Sequence, residues 1–558
     1  MKKNFWKKCI SISLAGVLAV GMLSGCGNKE TNPTESTPEK VESTSEKPSA
    51  EVASESTQTT QEEGITYPLD TDVTLKIATF SHAAVDANFE GKQATPFIEE
   101  LQKRTGVKVE LVELSNDAYK LLLTGGDIGD YDILWNNYNL LPGSPEVCIE
   151  DGLILPLNDY MEECMPDYKA ALDSKLAYKK GATTPEGYVF GAGMLKESKY
   201  LQISAGVMVR WDWLEDLNME IPETADEFYD MLVAFRDQKG AEVPLSISLS
   251  QLTNQLLQGE IEGAFGIAAA EYYVEDGKVH YGIAEPGMKD VYAYLHKLYE
   301  EGLLDPEYAT LDKATAKANL LTGRSGATTG AVGGGIGAYM NEMQDDPEFN
   351  LTGVPSLVAK KGDTPKMALA STAVSNVFAC VLKSCKNPEI AAKFLNYGYT
   401  EEGINFWNFG IEGVSYNMVD GYPTYTDLIM KNPDGWSVQQ AMAAYSFGYS
   451  GAISIQQDEY MEQYSALPGQ KKALEMWTKA DIDTYQLPPV TISTKDNDEY
   501  SRINSEVWTY YEQMLVAYIN GTKSLDDFES EYLGTLKNLN VDRMIEIMQN
   551  AYDEYMAK

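Results

Sequence analysis

The chain has 558 residues, with 84 acidic against 44 basic side chains and a formal charge of −40. Such an excess of negative charge argues against nucleic-acid binding, which needs a basic face, and against a polybasic membrane patch. The length suggests two or more lobes, and an apolar content of 44% is ordinary for a globular protein.

The N-terminus reads as an export signal. Lys2, Lys3, Lys7 and Lys8 precede an uncharged apolar run from Ile10 to Leu23, and Leu23-Ser24-Gly25-Cys26 follows. A basic start, a short apolar stretch and a small-residue cleavage site define a secretory signal; the run is too short for a comfortable membrane span. Leu-Ser-Gly-Cys resembles the lipobox of bacterial lipoproteins, which implies cleavage before Cys26 and lipidation of its thiol. Residues 1–25 are therefore expected to leave as a signal peptide, moving the formal charge to −44 through the loss of four lysines. Residues 26–66 are rich in Ser, Thr, Glu, Pro and Lys and nearly devoid of large apolar side chains. Such a segment cannot offset its chain entropy and is expected to be a disordered, lipidated linker. Of the remaining cysteines, Cys148, Cys164, Cys380 and Cys385 match no zinc spacing and are expected to be mostly buried small apolar residues.

Order is expected from Tyr67. Residues 73–80 and 107–114 read as strands around a helix at 95–104, with a short helix at 117–123 and a further strand at 130–135. This alternation predicts an α/β lobe with a mainly parallel sheet. Thr224-Ala225-Asp226-Glu227 is a capping box opening a helix to about Arg236. An amphipathic helix is predicted over 287–301, a strand over 376–382 and a helix over 389–397. Two helical stripes close the chain: Ile503, Val507, Tyr510, Met514 and Tyr518, then Met544, Ile547, Met548, Ala551 and Tyr555.

No catalytic motif stands out among the three histidines, and neither a nucleophile elbow nor a phosphate loop is present; no catalytic residue is assigned. The glycine-rich run 333–337 reads as a tight strand-to-helix turn. Aromatics are more informative, with eight tryptophans and 35 tyrosines in the chain. Sugar rings offer C–H faces to aromatic planes and hydroxyls to amides and carboxylates. Trp135, Asn136 and Asn137 follow a predicted strand, where α/β sheets place ligands, or else form a turn around a core indole. Trp211 flanks a helix start. Tyr445 and Tyr449 alternate in a loop that suits either a ligand wall or a packed turn. Arg324, between glycines, is a candidate ligand contact or a salt bridge. Trp407 and Tyr416 complete the candidate set.

Five ordered motifs then resemble those of the extracellular solute-binding lipoproteins of ABC importers, family 1, in their large LplA-like and alginate-binding-protein-like branch. They are Thr124-Gly125-Gly126-Asp127-Ile128-Gly129-Asp130-Tyr131-Asp132; Val209-Arg210-Trp211-Asp212-Trp213-Leu214 with Pro222-Glu223-Thr224-Ala225-Asp226-Glu227-Phe228-Tyr229; Leu298-Tyr299-Glu300-Glu301-Gly302-Leu303-Leu304-Asp305-Pro306; Phe409-Gly410-Ile411-Glu412-Gly413-Val414-Ser415-Tyr416; and Gln549-Asn550-Ala551-Tyr552-Asp553. The resemblance implies a type II periplasmic-binding-protein-like α/β fold, two lobes with a hinge and a ligand cleft between them. The N-terminal lobe is expected over 67–200 and 366–402 and the C-terminal lobe over 201–365 and 403–558, with crossings near 195–205, 360–373 and 400–406. It further implies capture of an oligosaccharide and delivery to ABC permease subunits, at the extracellular face of a cell membrane reached only through the lipid. A monomer without enzymatic activity, cofactor or nucleic-acid partner is expected. Alternatives are a surface glycan-degrading enzyme and a binder of peptide or another solute. Relatives often carry a calcium loop after the "DEFY" helix; here residues 236–244 are too short and too poor in oxygen ligands, so no metal is expected there.

Overall fold

The computed structural model describes residues 64–125, 128–448 and 451–557. Cys26, the signal, most of the linker, Gly126, Asp127 and Tyr449 lie outside them. The strands are β1 (Thr74–Phe80), β2 (Lys108–Leu114), β3 (Ile133–Asn137), β4 (Ala192–Lys196), β5 (Ala205–Arg210), β6 (Tyr272–Glu275), β7 (Lys278–Tyr281), β8 (Ala327–Ala331), β9 (Leu351–Val354), β10 (Val374–Val381), β11 (Tyr416–Val419), β12 (Tyr422–Tyr425) and β13 (Ile455–Gln456).

The first lobe is built on a six-stranded sheet ordered β13-β4-β10-β3-β1-β2. β1 runs parallel to β2 and β3, with Ile77 beside Leu111 and Ile133. Its residues Leu75, Ile77, Ala78 and Thr79 are all buried, because helices cover both faces. The predicted parallel sheet is only partly realised: β10 lies antiparallel between β3 and β4. β10 returns from the second lobe, so it enters from the opposite end. The second lobe has a small antiparallel sheet ordered β8-β5-β9, with β6-β7 and β11-β12 as separate hairpins.

Helices form where capping and periodicity ask for them. Ala225–Lys239 opens with the full Thr224/Glu227 capping box and stops at left-handed Gly240. Helix Thr494–Ile519 buries Ile503, Val507, Tyr511, Leu515 and Tyr518, so the inward stripe uses Tyr511 and Leu515 where Tyr510 and Met514 were expected. Those two are half-buried beside it. Helix Pro468–Trp477 lies across the second sheet. Its Trp477 indole covers Gly206 of β5 and Gly353 of β9, where a Cβ would stand 2.5 and 2.7 Å from the ring. Only glycine permits that approach.

Two long segments and several short ones cross between the lobes. Residues 197–204 join β4 to β5, and 355–373 join β9 to β10. One short crossing lies at residues 407–409, and the last follows β13. Helix Glu401–Phe409 places Phe406 and Trp407 in the first core, and Ala443, Phe447 and Ile453 join them. Phe409, Tyr416, Tyr425 and Met442 belong to the second core, so residues 403–456 alternate between lobes. The crossings are hydrogen-bonded to one another: Lys196 N–H donates to Ala373 O at 2.8 Å, Glu197 N–H to Gln456 O at 3.0 Å and Ser371 N–H to Gln202 O at 3.0 Å. The Ser198 hydroxyl meets the Asp458 carboxylate at 2.6 Å. These ties make a narrow hinge flanked by two independent cores.

Candidate ligand groove

The carboxyl ends of β1 and β3 in the first lobe and of β8 in the second lie near the crossings, and residues after them border the space between the lobes. In open α/β sheets this is where ligands bind. At the end of β3, Asn136 is 5% exposed; its side-chain oxygen accepts the Asn137 N–H at 2.7 Å, while its amide nitrogen has no hydrogen-bond partner among the described residues. Asn137 accepts from Asn139 N–H at 2.9 Å and caps a short 3-10 turn. Val377 pairs with Asn137, which puts Ser375 and exposed Asn376 beside this amide edge.

The indoles expected beside them point elsewhere. Trp135 and Trp407 are each 2% exposed and meet edge to face at 5.8 Å. The Trp135 indole N–H donates to Gly451 O at 2.9 Å, and Trp407 packs on Phe97 at 4.8 Å. Both are core residues of the first lobe. Burying a large aromatic ring there outweighs leaving it for a solute. Tyr416 is buried against Phe409 in the second core. Tyr445 ends helix Val438–Tyr445 and is half-buried against the same core.

Trp211 and Arg324 lie at the wrong end of the second sheet. β5 leaves the hinge at Ala205, paired with Ala331, and reaches Arg210 five residues later, about 17 Å away. Trp211 follows Arg210, half-buried, with its N–H on Asn350 O at 2.8 Å. Arg324, which precedes β8 at the same far end, donates to Glu242 at 2.9 Å and to Asn319 at 3.0 Å. It is a salt-bridge residue.

Other side chains gather at the groove. The glycine-rich residues after β8, Val332–Gly337, form one π-helical turn before helix Ala338–Glu342. Without a Cβ at Gly333 the Tyr464 hydroxyl can lie against the turn, and a Cβ at Gly337 would stand 2.5 Å from the Gln470 amide. Gln470 donates to Val332 O at 2.9 Å and fixes the turn. A cavity of about 580 Å³ opens between this turn, residues 430–439 and residues 464–470. Trp436 stands on its wall, half-buried, its ring nearly perpendicular to that of Phe89 of the first lobe with 5.6 Å between centroids. Asn341, Gln344 and Gln439 line the same space and make no side-chain hydrogen bond to another described residue. A second cavity of about 560 Å³ lies between Tyr138 and Asn139 of the first lobe and Val490, Asn497 and Ser501 of the second.

Trp436 was not singled out by sequence reasoning, although a signal exists. Asn432-Pro433-Asp434-Gly435 is a turn sequence, and Gly435 N–H donates to Asn432 O at 3.0 Å. A tryptophan directly after such a turn is held at a loop tip rather than in a core.

Two charged groups are buried near the groove. Lys92 reaches Phe80 O and lies 3.5 Å from the Phe80 ring; burial pulls its pKa down to about 7. In the second lobe, burial pushes Glu260 up to about 7, while its carboxylate accepts the Leu369 N–H of a crossing segment at 2.9 Å. Beyond helix Ala225–Lys239 the chain is drawn straight to the sheet, with Val243 N–H on Arg324 O at 3.0 Å and Leu245 bridged to Ala327. Among the described residues no three His, Cys, Asp or Glu side chains gather as a metal site requires.

Two lobes, a hinge of crossing segments and a groove at the sheet ends define a solute-binding protein of the periplasmic-binding-protein-like fold. The chain belongs to the bacterial extracellular solute-binding protein family, whose model matches residues 88–404. It is 23% identical over 532 residues to the fructooligosaccharide ABC transporter substrate-binding protein FusA of Streptococcus pneumoniae serotype 4, covering 89% of this chain and 93% of that one. It is 24% identical to lipoprotein LipO of Bacillus subtilis, over 66% of this chain and 71% of the relative. Among solved structures, the alginate-binding protein AlgQ2 without calcium superposes with a TM-score of 0.68 at 21% identity, covering 87% of this chain and 99% of that one. The family, FusA and AlgQ2 are named for binding rather than for an enzymatic activity.

Proposed function

We propose that this protein is the lipid-anchored substrate-binding component of an ABC importer, and that it captures an oligosaccharide in the inter-lobe groove and hands it to the permease. The observation that carries this reading is the wall at Trp436. There Trp436 stands beside the uncommitted amides of Asn341, Gln344 and Gln439 in a cavity of about 580 Å³ on the second-lobe side of the groove. Ligand pockets of this size pair apolar surface with a few polar groups that fix orientation. A ligand touching both lobes favours the closed state in proportion to the contacts it gains there. Affinity near micromolar, about −8 kcal/mol, would allow both capture and release. FusA, by its name, serves fructooligosaccharides, which supports the ligand class.

Anchoring rests on the sequence: Cys26 in its lipobox carries the lipid, and residues 26–66 form the tether. No helix among the described residues is long and apolar enough to cross a membrane. We infer a monomer held at the extracellular face by lipid alone.

Calorimetric titration of the full chain in detergent against defined oligosaccharides and against peptides tests the reading. Heat and thermal stabilisation with sugars, without turnover, are expected. Binding to peptides alone, or hydrolysis of a glycan, would replace it. Labelling with a fatty-acid probe in a bacterial host should mark the wild-type chain and not Cys26→Ala.

A further inference from the structure

The fold alone does not decide the charge of the ligand, since relatives named for fructooligosaccharide and for alginate share it. Alginate is a polyuronate and fructooligosaccharides carry no charge. The groups that distinguish the two are cations free to meet a carboxylate.

Every arginine of the chain lies among the described residues, and each is already engaged by a carboxylate away from the groove wall. Arg104 holds Glu100 at 3.0 Å and Glu402 at 2.7 Å. Arg210 is paired with Asp212 at 2.5 Å and lies between Trp213 and Phe349. Arg236 binds Asp237 at 2.7 Å, and Arg324 binds Glu242 at 2.9 Å. Arg502 faces Glu506 at 3.5 Å, and Arg543 meets Asp496, Glu499 and Glu546. Bidentate recognition of a sugar carboxylate is the work arginine does best, and none is left for it.

Of the lysines near the groove, only Lys431 lines the Trp436 cavity, and it alone has a carboxylate partner; the others are held by uncharged groups outside that cavity. Lys431 on the Trp436 wall lies 3.3 Å from Asp427. Lys180, in the second cavity, rests on the Tyr555 ring at 4.2 Å, and that cavity adds Asp498. In the hinge, Lys196 is held by the Ser371 hydroxyl, and Lys92 is buried against Phe80. Around these groups the chain carries a formal charge of −40, whose field repels anions.

We infer that the groove selects uncharged oligosaccharides and rejects uronate-bearing ones. The inference rests on the oligosaccharide reading and narrows it. The Trp436 plane suits the C–H face of a neutral ring. The amides of Asn341, Gln344 and Gln439 each offer donors and an acceptor, which match hydroxyls; a carboxylate would meet their donors without a countercharge. Leaving a charged group so poorly compensated on binding costs about 30-fold in affinity.

The test titrates the full chain in detergent with short neutral oligosaccharides, with oligogalacturonides and oligoalginates, and with the carboxyl-reduced form of each acid. Reduction removes the charge and keeps linkage and length. The expected result is binding of at least one neutral series, and acids bound about 30-fold more weakly than their reduced forms. Gln439→Arg should narrow that gap about tenfold by supplying a charge-assisted partner. Acids bound as tightly as their reduced forms, or more tightly, overturn the selectivity while leaving the oligosaccharide reading intact. An unchanged gap in Gln439→Arg, confirmed folded by its melting curve, overturns the assignment of selectivity to this wall. No binding of any glycan overturns the oligosaccharide reading, and this inference with it.

Discussion

Both lobes bury tryptophans, but only the second leaves one at its rim. In the first, Trp135 and Trp407 face each other inside a core that also holds Phe97, Phe406 and Phe447. In the second, Trp477 is sealed over two glycines, whereas Trp436 stays half-buried at a loop tip beside open amides. Indoles deep in the lobes make the bodies rigid, and the indole at the rim is left to meet a solute. A hinge can only transmit ligand contact into closure if the bodies it joins do not deform.

The largest expected effect breaks that contrast from the inside. Trp407→Ala should cost about 4 kcal/mol of stability, because the surrounding rings cannot collapse into the space; urea unfolding measures it. Gly206→Ala should cost about 3 kcal/mol by driving a Cβ into the Trp477 ring, read from the same curves. Trp436→Ala should leave the melting curve within about 0.5 kcal/mol of wild type and weaken ligand binding by about 2 kcal/mol. Equal loss of stability in Trp407→Ala and Trp436→Ala would erase the distinction between core and rim. Thr224→Ala removes a capping box of the second lobe and should cost about 1 kcal/mol.

The smallest contrast is a slope in pH. Glu260 has its pKa raised by burial to about 7. The stability tied to its neutral form is therefore full below pH 4.5 and is lost as pH rises towards 7. Lys92, lowered to about 7, acts in the opposite sense: its contribution is full above 10.5 and is lost as pH falls towards 7. Glu260→Gln should flatten the acid-side fall, and Lys92→Met the alkaline-side rise, in denaturation series across those windows.

Much of the architecture was legible because local patterns and tertiary burial agree. The alternation in β1 and β2, the Thr224 box and the Met544–Ala551 stripe each appear where periodicity or capping chemistry demands. The antiparallel placement of β10 was not legible, since pairing between residues 133–137 and 374–381 leaves no local mark. The groove was harder still. Trp135 follows the rule that strand ends face ligands, yet its ring turns inward, because packing decides the side on which an indole falls. Arg324 sits between glycines, as a ligand contact can, but Glu242 is brought to it by a distant turn. Trp436 carried a turn signature, but hydropathy weighs its indole like any other.

The position of β10 also bears on how the protein is made. β10 fills the gap between β3 and β4, so those strands have no shared neighbour until residues 374–381 exist. A chain made from its amino end therefore has four strands that cannot yet close their sheet. Completion waits for β13, the edge strand beside β4, near residue 456. That order leaves the first-lobe sheet incomplete until the late segments are made. It also leaves open strand edges that invite aggregation or the attention of chaperones until the late segment arrives.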